Sequence, residues 1–136
     1  MQTFLPYPSF DESARVLDYR RLGKQRVECE QILNALESGI GWIHHPATKM
    51  WKGFENSLIE YQLIIIGEWL DRGYRNNMIV RPFKGDIVAP NWLGNEEFHR
   101  SHRANLMRKD PEYYGRFFGN DFSSDEYLNI EYVWPV

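Results

Sequence analysis

The strongest constraint in this chain is a helical repeat of apolar residues that runs through residues 46–72. Most of the apolar positions recur three or four residues apart, as one face of a helix requires: Met50, Trp51, Phe54, Leu58, Tyr61, Leu63, Ile66 and Leu70. The pattern predicts one long central helix that begins near Pro46 and ends at about Arg72. A chain organised around such a helix is expected to be all-α.

A second long helix is predicted before the central one. Residues 4–10 contain two prolines, each of which disfavours helix at the residue before it, so this segment is expected to be extended. Asp11 is a suitable N-cap, and the helix that follows should end near Gly39. Gly23 is a potential interruption within it.

The C-terminal part of the chain predicts a third main helix, from about Asn95 to Lys109. Pro111 then suits the first position of a short helix. Residues 75–94, rich in proline and glycine, read as a long irregular connection. The last residues, 120–136, read as an extended acidic tail.

Length and composition predict a single compact domain over residues 1–136, all-α, with three main helices and long loops. The 16 Lys and Arg residues against 19 Asp and Glu give a formal net charge of -3. Four of the acidic residues lie in the tail, which has no Lys or Arg, so the rest of the chain is close to neutral. This balance argues mildly against tight nonspecific DNA binding.

The compartment expected from the sequence is the cytoplasm. Cys29 is the only cysteine, which excludes an internal disulfide and suits a reducing environment. The N-terminus has no pattern of a signal peptide, and the longest apolar stretch, Leu63–Gly67, is far too short to span a bilayer.

The first of two basic segments, residues 17–28, offers a candidate acid/base group. Arg20, Lys24 and Glu28 lie at i, i+4 and i+8 and share one helix face. A carboxylate among cations stays ionised and can activate water or stabilise a developing cation. Two further cations of this helix, Arg21 and Arg26, are candidate phosphate contacts. Ordinary surface ion pairs on a solvated helix face are the alternative interpretation.

The second basic segment, residues 98–115, offers candidate phosphate and base contacts. One cluster on the predicted third helix combines imidazole and guanidinium groups: His99, Arg100, His102 and Arg103. The alternative is that these residues cap or bridge neighbouring helices. No spacing typical of a metal site is present, so neither a metal nor another cofactor is expected.

Three more residues could contact nucleic acid. His45 precedes the predicted central helix, and helix N-termini bind anions. Tyr113 and Tyr114 lie in a polar context and are candidate platforms for base stacking. No P-loop, dinucleotide fingerprint or Ser-His-Asp pattern appears, and those enzyme classes are excluded.

Three stretches together resemble the pyrimidine-dimer DNA glycosylase/AP lyase family, the small all-α endonuclease V-like enzymes of phage type. LDYRRLGKQRVECEQIL resembles the first helix of that family. KMWKGFENSLIEYQLIIIGEWLDRGYRNN is similar to its central helix and the Leu-x-Arg-Gly-aromatic turn at the end. SHRANLMRKDPEYYGRFF resembles its C-terminal helix and Tyr-Tyr-Gly segment. The resemblance implies a flipped nucleotide, cleavage of its N-glycosidic bond and, in some members, strand scission through a Schiff base.

The resemblance also implies roles for particular residues. Arg20 and Lys24 match phosphate-binding cations of the first helix, and Tyr113 and Tyr114 match a DNA-contacting aromatic segment. In the family's Tyr-Arg-Glu-Leu register, however, Arg21 occupies the position of the catalytic glutamate.

Glu28, two turns further along the same face, is the candidate substitute for that glutamate. The family nucleophile is the α-amino group of a small residue exposed when Met is removed, but the second residue here is the bulky Gln2. Met1 is therefore the candidate nucleophile, since an α-amino group is partly neutral near pH 7. These departures indicate a divergent branch of the family.

The sequence predicts an enzyme that cleaves N-glycosidic bonds: a DNA glycosylase, with or without AP-lyase activity, that flips a damaged or modified pyrimidine. The first alternative is a glycosidase acting on free nucleotides or modified nucleosides, which the near-neutral charge favours. The second is a catalytically inactive module that binds nucleic acid or protein, favoured by Arg21 and Gln2. The expected partner is DNA or a nucleotide.

Overall fold

The computed structural model describes residues 1–136, which form six α-helices and no β-strand. The helices are α1 Phe10–Val16, α2 Tyr19–Ser38, α3 Pro46–Lys49, α4 Glu55–Asp71, α5 Glu96–Lys109 and α6 Pro111–Phe118. Two 3₁₀ turns follow, Gly119–Asp121 and Glu126–Asn129. The all-α prediction is confirmed. None of these helices combines the length and the apolar character needed to cross a bilayer.

The single helix predicted from Asp11 to Gly39 is in fact two helices, α1 and α2. Ser9, not Asp11, caps the first of them, with its Oγ accepting from the Glu12 N–H at 3.2 Å. The backbone becomes extended at Leu17, whose side chain is fully buried, and α2 begins at Tyr19, directly after Asp18. Burial of Leu17 at a kink therefore overrides the helical periodicity.

Gly23 does not interrupt α2, contrary to the expectation, and its role is steric. A Cβ added at this position would lie 2.8 Å from two carbons of the Trp69 ring. The glycine thus allows an indole from α4 to lie directly against the backbone of α2, which offsets the usual cost of glycine inside a helix.

The predicted central helix is also divided, into α3 and α4. Between them the chain turns at Gly53, which adopts φ +88°, a left-handed conformation that side chains disfavour. Met50 and Trp51 lie in this turn and are still buried. The apolar repeat therefore reflects burial on both sides of a turn and not one continuous helix.

The C-terminal helices begin where the sequence predicts, and each is capped by a side chain. Asn95 Oδ1 accepts from the Phe98 N–H at 3.1 Å, and Asp110 Oδ1 accepts from the Tyr113 N–H at 3.0 Å ahead of Pro111. Residues 75–94 are irregular, as expected. The tail, however, is extended only from Ile130 onward, because the two 3₁₀ turns occupy most of the residues before it.

The core is one cluster of 25 buried apolar residues drawn from Phe4 to Phe122, and α2 and α4 form its largest helix pair. An unusual component is the N-terminal segment, residues 2–6. It is buried along its whole length although it belongs to no helix or sheet. Its backbone must therefore find hydrogen-bond partners among side chains.

Candidate active site

Gln25 of α2 is the first of those partners. Its side-chain Nε2 donates to the Gln2 carbonyl at 2.7 Å, and its Oε1 accepts from the Phe4 N–H at 2.7 Å. These two backbone groups lie on the same edge of an extended chain, so a single amide side chain acts as a neighbouring strand would. Tyr61 of α4 also donates its hydroxyl proton to the Phe4 carbonyl.

The opposite edge of the segment is held by α5. His102 Nδ1 accepts from the Leu5 N–H at 3.0 Å, and His99 Nδ1 lies 2.8 Å from the Leu5 carbonyl. Since His99 Nε2 accepts from the Gly94 N–H at 2.9 Å, its Nδ1 is the protonated nitrogen and donates to Leu5.

The phosphate-binding role predicted for His99, His102 and Arg103 is therefore wrong. Both imidazoles are fully buried. Burial lowers the pKa of His99, and burial with the nearby His99 lowers the pKa of His102 to about 3, so neither carries a charge at neutral pH. Arg103 Nη1 donates to the Pro6 carbonyl at 2.8 Å and its Nε lies 3.0 Å from Asp121 Oδ2. The alternative interpretation, bridging within the protein, is the one observed.

Anchored in this way, the N-terminus ends in a cavity of about 830 Å³ between α2, α5 and α6. The cavity is lined by Met1, Gln2, Phe4, Asp18, Tyr19, Arg20, Arg21, Lys24, Glu28, Lys109, Asp110, Tyr113 and Tyr132. Six of the predicted site residues meet here: Met1, Arg20, Arg21, Lys24, Glu28 and Tyr113. The volume lies within the range of small-molecule sites.

Glu28 is the buried carboxyl of the cavity, with 8% of its surface exposed. Its Oε2 accepts from Gln25 Nε2 at 3.2 Å. Burial raises the pKa of Glu28 above its ordinary value, and the N-terminal amine, Lys24, the Gln2 backbone and Lys109 oppose that shift only in part. A carboxyl in this state can exchange a proton with a nearby amine closer to neutral pH.

Asp18 and Tyr114 form the wall next to Arg21. The Tyr114 hydroxyl donates to Asp18 Oδ1, and the Asp18 N–H donates back to that hydroxyl at 3.0 Å. Burial raises the pKa of Asp18, but hydrogen bonds from Tyr114 and Arg21 outweigh it, so the pKa lies below its ordinary value. Tyr114 is fully buried, and its predicted role in base stacking is wrong.

Arg21, at the position of the family glutamate, faces the cavity but is already paired. Its Nη1 lies 3.1 Å from Asp18 Oδ1 at the start of α2. The carboxyl that shares the cavity with the N-terminus and is affected by its charge is Glu28, in the middle of the same helix.

Two residues important to the site were missed by the sequence reasoning: Lys109, which lines the cavity, and Gln25, which contacts Glu28. Lys109 ends α5, and burial, aided by Arg21, Arg108 and Lys24, lowers its pKa. Nothing in the local sequence places it beside α2. The burial of Gln25 could have been predicted from the sequence, because this residue shares a face of α2 with Leu22, Cys29 and Ile32, which are buried.

Two further predicted phosphate contacts, Arg26 and Arg100, lie outside the cavity. Arg26 donates to Asn76 Oδ1 at 2.7 Å and packs on the Trp69 ring. The guanidinium of Arg100 lies 3.1 Å from Glu126, in the tail. Both guanidinium groups are thus engaged within the protein, and the tail neutralises cations of α5.

His45 lies close to the N-terminus without lining the cavity. It caps α3, with Nδ1 accepting from the Ala47 N–H at 3.0 Å. Burial and the positive N-terminus lower the pKa of His45. A neutral imidazole in this place does not supply the anion site expected from the sequence.

Comparison with known proteins gives one match for this chain. A protein-family model described as pyrimidine dimer DNA glycosylase matches residues 1–82, more than half of the chain. The matched part contains Met1, Gln25 and Glu28, and it ends before Lys109 and Tyr113. No curated protein and no solved structure matches the chain.

Proposed function

The chain belongs to the pyrimidine dimer DNA glycosylase family, and we propose that it cleaves the N-glycosidic bond of a damaged pyrimidine nucleotide flipped out of duplex DNA. The observation that supports this proposal most is the meeting of the N-terminus with the buried carboxyl of Glu28 in one cavity. An amine and a carboxyl held together in a concave site suit imine-forming catalysis.

In the proposed mechanism the nucleophile is the α-amino group of Met1. Its neutral form attacks C1′ of the deoxyribose, and the C1′–base bond breaks with its electron pair leaving on the base. Glu28, as carboxylate, accepts a proton from the attached nitrogen and then donates it to O4′ as the sugar ring opens. The nitrogen lone pair forms the C1′=N bond of the imine, which is also the intermediate for strand scission.

The cations of the cavity are proposed to hold the DNA backbone. Arg20 and Lys24 project from successive turns of α2 on the rim, and Lys109 faces them from α5. The net charge of the chain is -3, but cations concentrated at one cavity provide local phosphate contacts. The ring of Tyr113, which also lines the cavity, is placed to contact the nucleotide.

Gln25 is proposed as the positioning residue of this site. Its Nε2 lies within hydrogen-bond distance of both the Gln2 carbonyl and Glu28 Oε2, at 2.7 and 3.2 Å. One buried side chain therefore fixes the N-terminal segment and the carboxyl relative to each other. Such fixed geometry is what a proton transfer between two groups requires.

Lys109 is a second candidate amine. It lines the same cavity, and its lowered pKa increases the fraction of neutral amine. If Lys109 is the nucleophile, Lys109→Gln abolishes turnover. If it only contacts phosphate, the same substitution weakens DNA binding and reduces the dependence of binding on salt.

The direct test is base excision from a duplex that carries a single cyclobutane thymine dimer, with an undamaged duplex as control. The wild type should break the N-glycosidic bond of one thymidine of the dimer, whose base stays joined to its neighbour through the cyclobutane ring. The abasic site is detected as strand cleavage after alkaline heating. Glu28→Gln should bind the duplex normally but lose turnover by about 100-fold or more, the scale of general acid/base catalysis. Equal activity of the variant would remove Glu28 from the mechanism.

A glycosidase acting on free nucleotides is the alternative that the net negative charge of the chain favours. A salt titration separates the two functions. Binding to duplex DNA should weaken steeply with salt, with a slope proportional to the number of phosphates neutralised. Binding of a single nucleotide should respond much less.

A further inference from the structure

Three aromatic rings form a column beside the cavity: Tyr19 at the start of α2, Trp69 near the end of α4 and Tyr74 just after it. The centroids of Trp69 and Tyr74 are 4.3 Å apart with an angle of 26° between the rings, and Tyr74 and Tyr19 are 6.3 Å apart at the same angle. Aromatic pairs pack either offset-stacked or edge to face, and here two successive pairs that share Tyr74 are both near-parallel.

The inner end of the column is closed. The guanidinium carbon of Arg26 lies 4.4 Å from the Trp69 ring centroid. Tyr74 lies at a similar distance, so the two groups must occupy opposite faces of the indole. The indole is also fixed at its edge, because Nε1 donates to the Arg75 carbonyl at 2.7 Å.

The outer end of the column is open. Tyr19 is 50% exposed and Tyr74 is 39% exposed. Tyr19 and the adjacent Arg20 also line the cavity. Arg20 Nε donates to the Tyr19 hydroxyl at 3.0 Å, and its guanidinium carbon lies 5.7 Å from the centroid of that ring. The Arg20 side chain is exposed, so it is free to move from the ring to a phosphate when a base stacks there. The column therefore starts at the rim of the proposed active site.

We propose that this column is a stacking platform for an unpaired nucleobase of the DNA substrate, with the base against Tyr19 and its phosphate on Arg20. Three observations support it: the exposure of Tyr19, the mobile cation beside it and the continuity with the cavity. Aromatic rings beside cations are the usual combination for single-stranded nucleic acid, since every base has a flat face to stack. The inference rests on the proposed function only in that it takes DNA as the ligand.

The test compares two oligomers of about ten nucleotides, one of thymidylate and one with the same backbone but abasic at every position. The phosphates are identical, so the ratio of the two affinities measures the contribution of the bases. The wild type should prefer the oligomer with bases. Tyr19→Leu should lose about tenfold of that preference, the scale of one stacked base, and bind the abasic oligomer as before. Tyr19→Phe should resemble the wild type.

Two controls separate stacking from other effects. Phe83→Leu removes a comparably exposed ring, 41% exposed, from the loop of residues 75–94 and should change neither affinity. Arg20→Gln should weaken binding of both oligomers alike and lower the salt slope by about 0.7, the value for one phosphate on a single strand.

The outcomes also separate this inference from the proposed function. A Tyr19→Leu variant that keeps the preference for bases, or a wild type without one, overturns the inference even if dimer excision is observed. A base-dependent affinity that Tyr19→Leu abolishes supports the inference, even if no glycosidic bond is cleaved and the proposed function fails. A wild-type protein that binds neither oligomer also overturns the proposal that the column is a stacking platform.

Discussion

At the scale of single residues, Gln25 explains why a buried polar side chain lies on an apolar helix face. It meets two backbone groups of the N-terminal segment that no strand satisfies. A buried backbone group without a partner costs about 1–3 kcal/mol, so the position cannot be replaced by an apolar residue without loss.

We therefore expect Gln25→Leu to destabilise the protein by about 2–5 kcal/mol, because the Gln2 carbonyl and the Phe4 N–H are both left unpaired. Urea unfolding measures this change. A purely structural role predicts that the fraction still folded retains full activity per molecule. The proposed positioning role predicts a lower rate of imine formation at saturating DNA, with the pH dependence of that rate altered because Glu28 loses its donor.

Some residues of the site could be predicted from the sequence and others could not, and the difference has a physical reason. Lys24 and Glu28 meet in the cavity because they share a helix face, which spacing alone reveals. The burial of His99 and His102 depends on Leu5, which is more than 90 residues away in the chain. No local pattern distinguishes a histidine that contacts phosphate from one that binds a buried backbone.

At the scale of secondary structure, the helices predicted correctly are those whose ends are specified locally. Asn95, Asp110 and Pro111 define α5 and α6 with their own side chains. The breaks at Leu17 and Gly53 depend on tertiary packing and on backbone conformation, so the apolar periodicity continues across both of them.

The packing of α4 on α2 yields a prediction with a matched control. Gly23→Ala should destabilise the protein by about 1–3 kcal/mol, because the new Cβ would overlap the Trp69 ring at 2.8 Å. Gly67→Ala, in the middle of α4 with no atom within 4 Å, should instead stabilise by about 0.5–1 kcal/mol. Thermal unfolding of both variants measures these changes in stability. A Gly23→Ala variant that is more stable than the wild type would contradict the close contact of Trp69 with the backbone of α2.

At the scale of the whole molecule, the buried histidines make the free energy of unfolding depend on pH. The pKa of His102 is lowered from 6.5 to about 3, so between these values the unfolded chain binds a proton that the folded protein does not. The stability contributed is complete above pH 6.5 and is lost as the pH falls towards 3, at up to about 1.4 kcal/mol per pH unit. The lowered pKa of His99 acts in the same direction.

We expect His102→Asn, whose side-chain oxygen can still accept from Leu5, to flatten this pH dependence by about one proton. Urea unfolding between pH 4 and pH 7.5 measures the slope. His44→Asn replaces an exposed histidine in the same way and serves as the control. An unchanged slope in His102→Asn would mean that the imidazole is not buried in its neutral form.

The charge distribution is also a property of the whole molecule. Part of the negative charge lies in the tail, where carboxylates pair with cations of α5, Asp121 with Arg103 and Glu126 with Arg100. The cations around the cavity, among them Arg20 and Lys24, are not paired with carboxylates of the tail. Composition alone therefore underestimates how basic the candidate DNA surface is.

The central claim is that the N-terminal amine beside Glu28 forms an imine with DNA, and borohydride trapping on an abasic-site duplex tests it most directly. The intact mass of the protein first establishes which residue ends the chain, and peptide mapping then locates the adduct. The account predicts a covalent adduct on the N-terminal peptide that is strongly reduced in Glu28→Gln and retained in Lys109→Gln. An adduct on the peptide of Lys109, or none with a duplex that the protein binds, would contradict it.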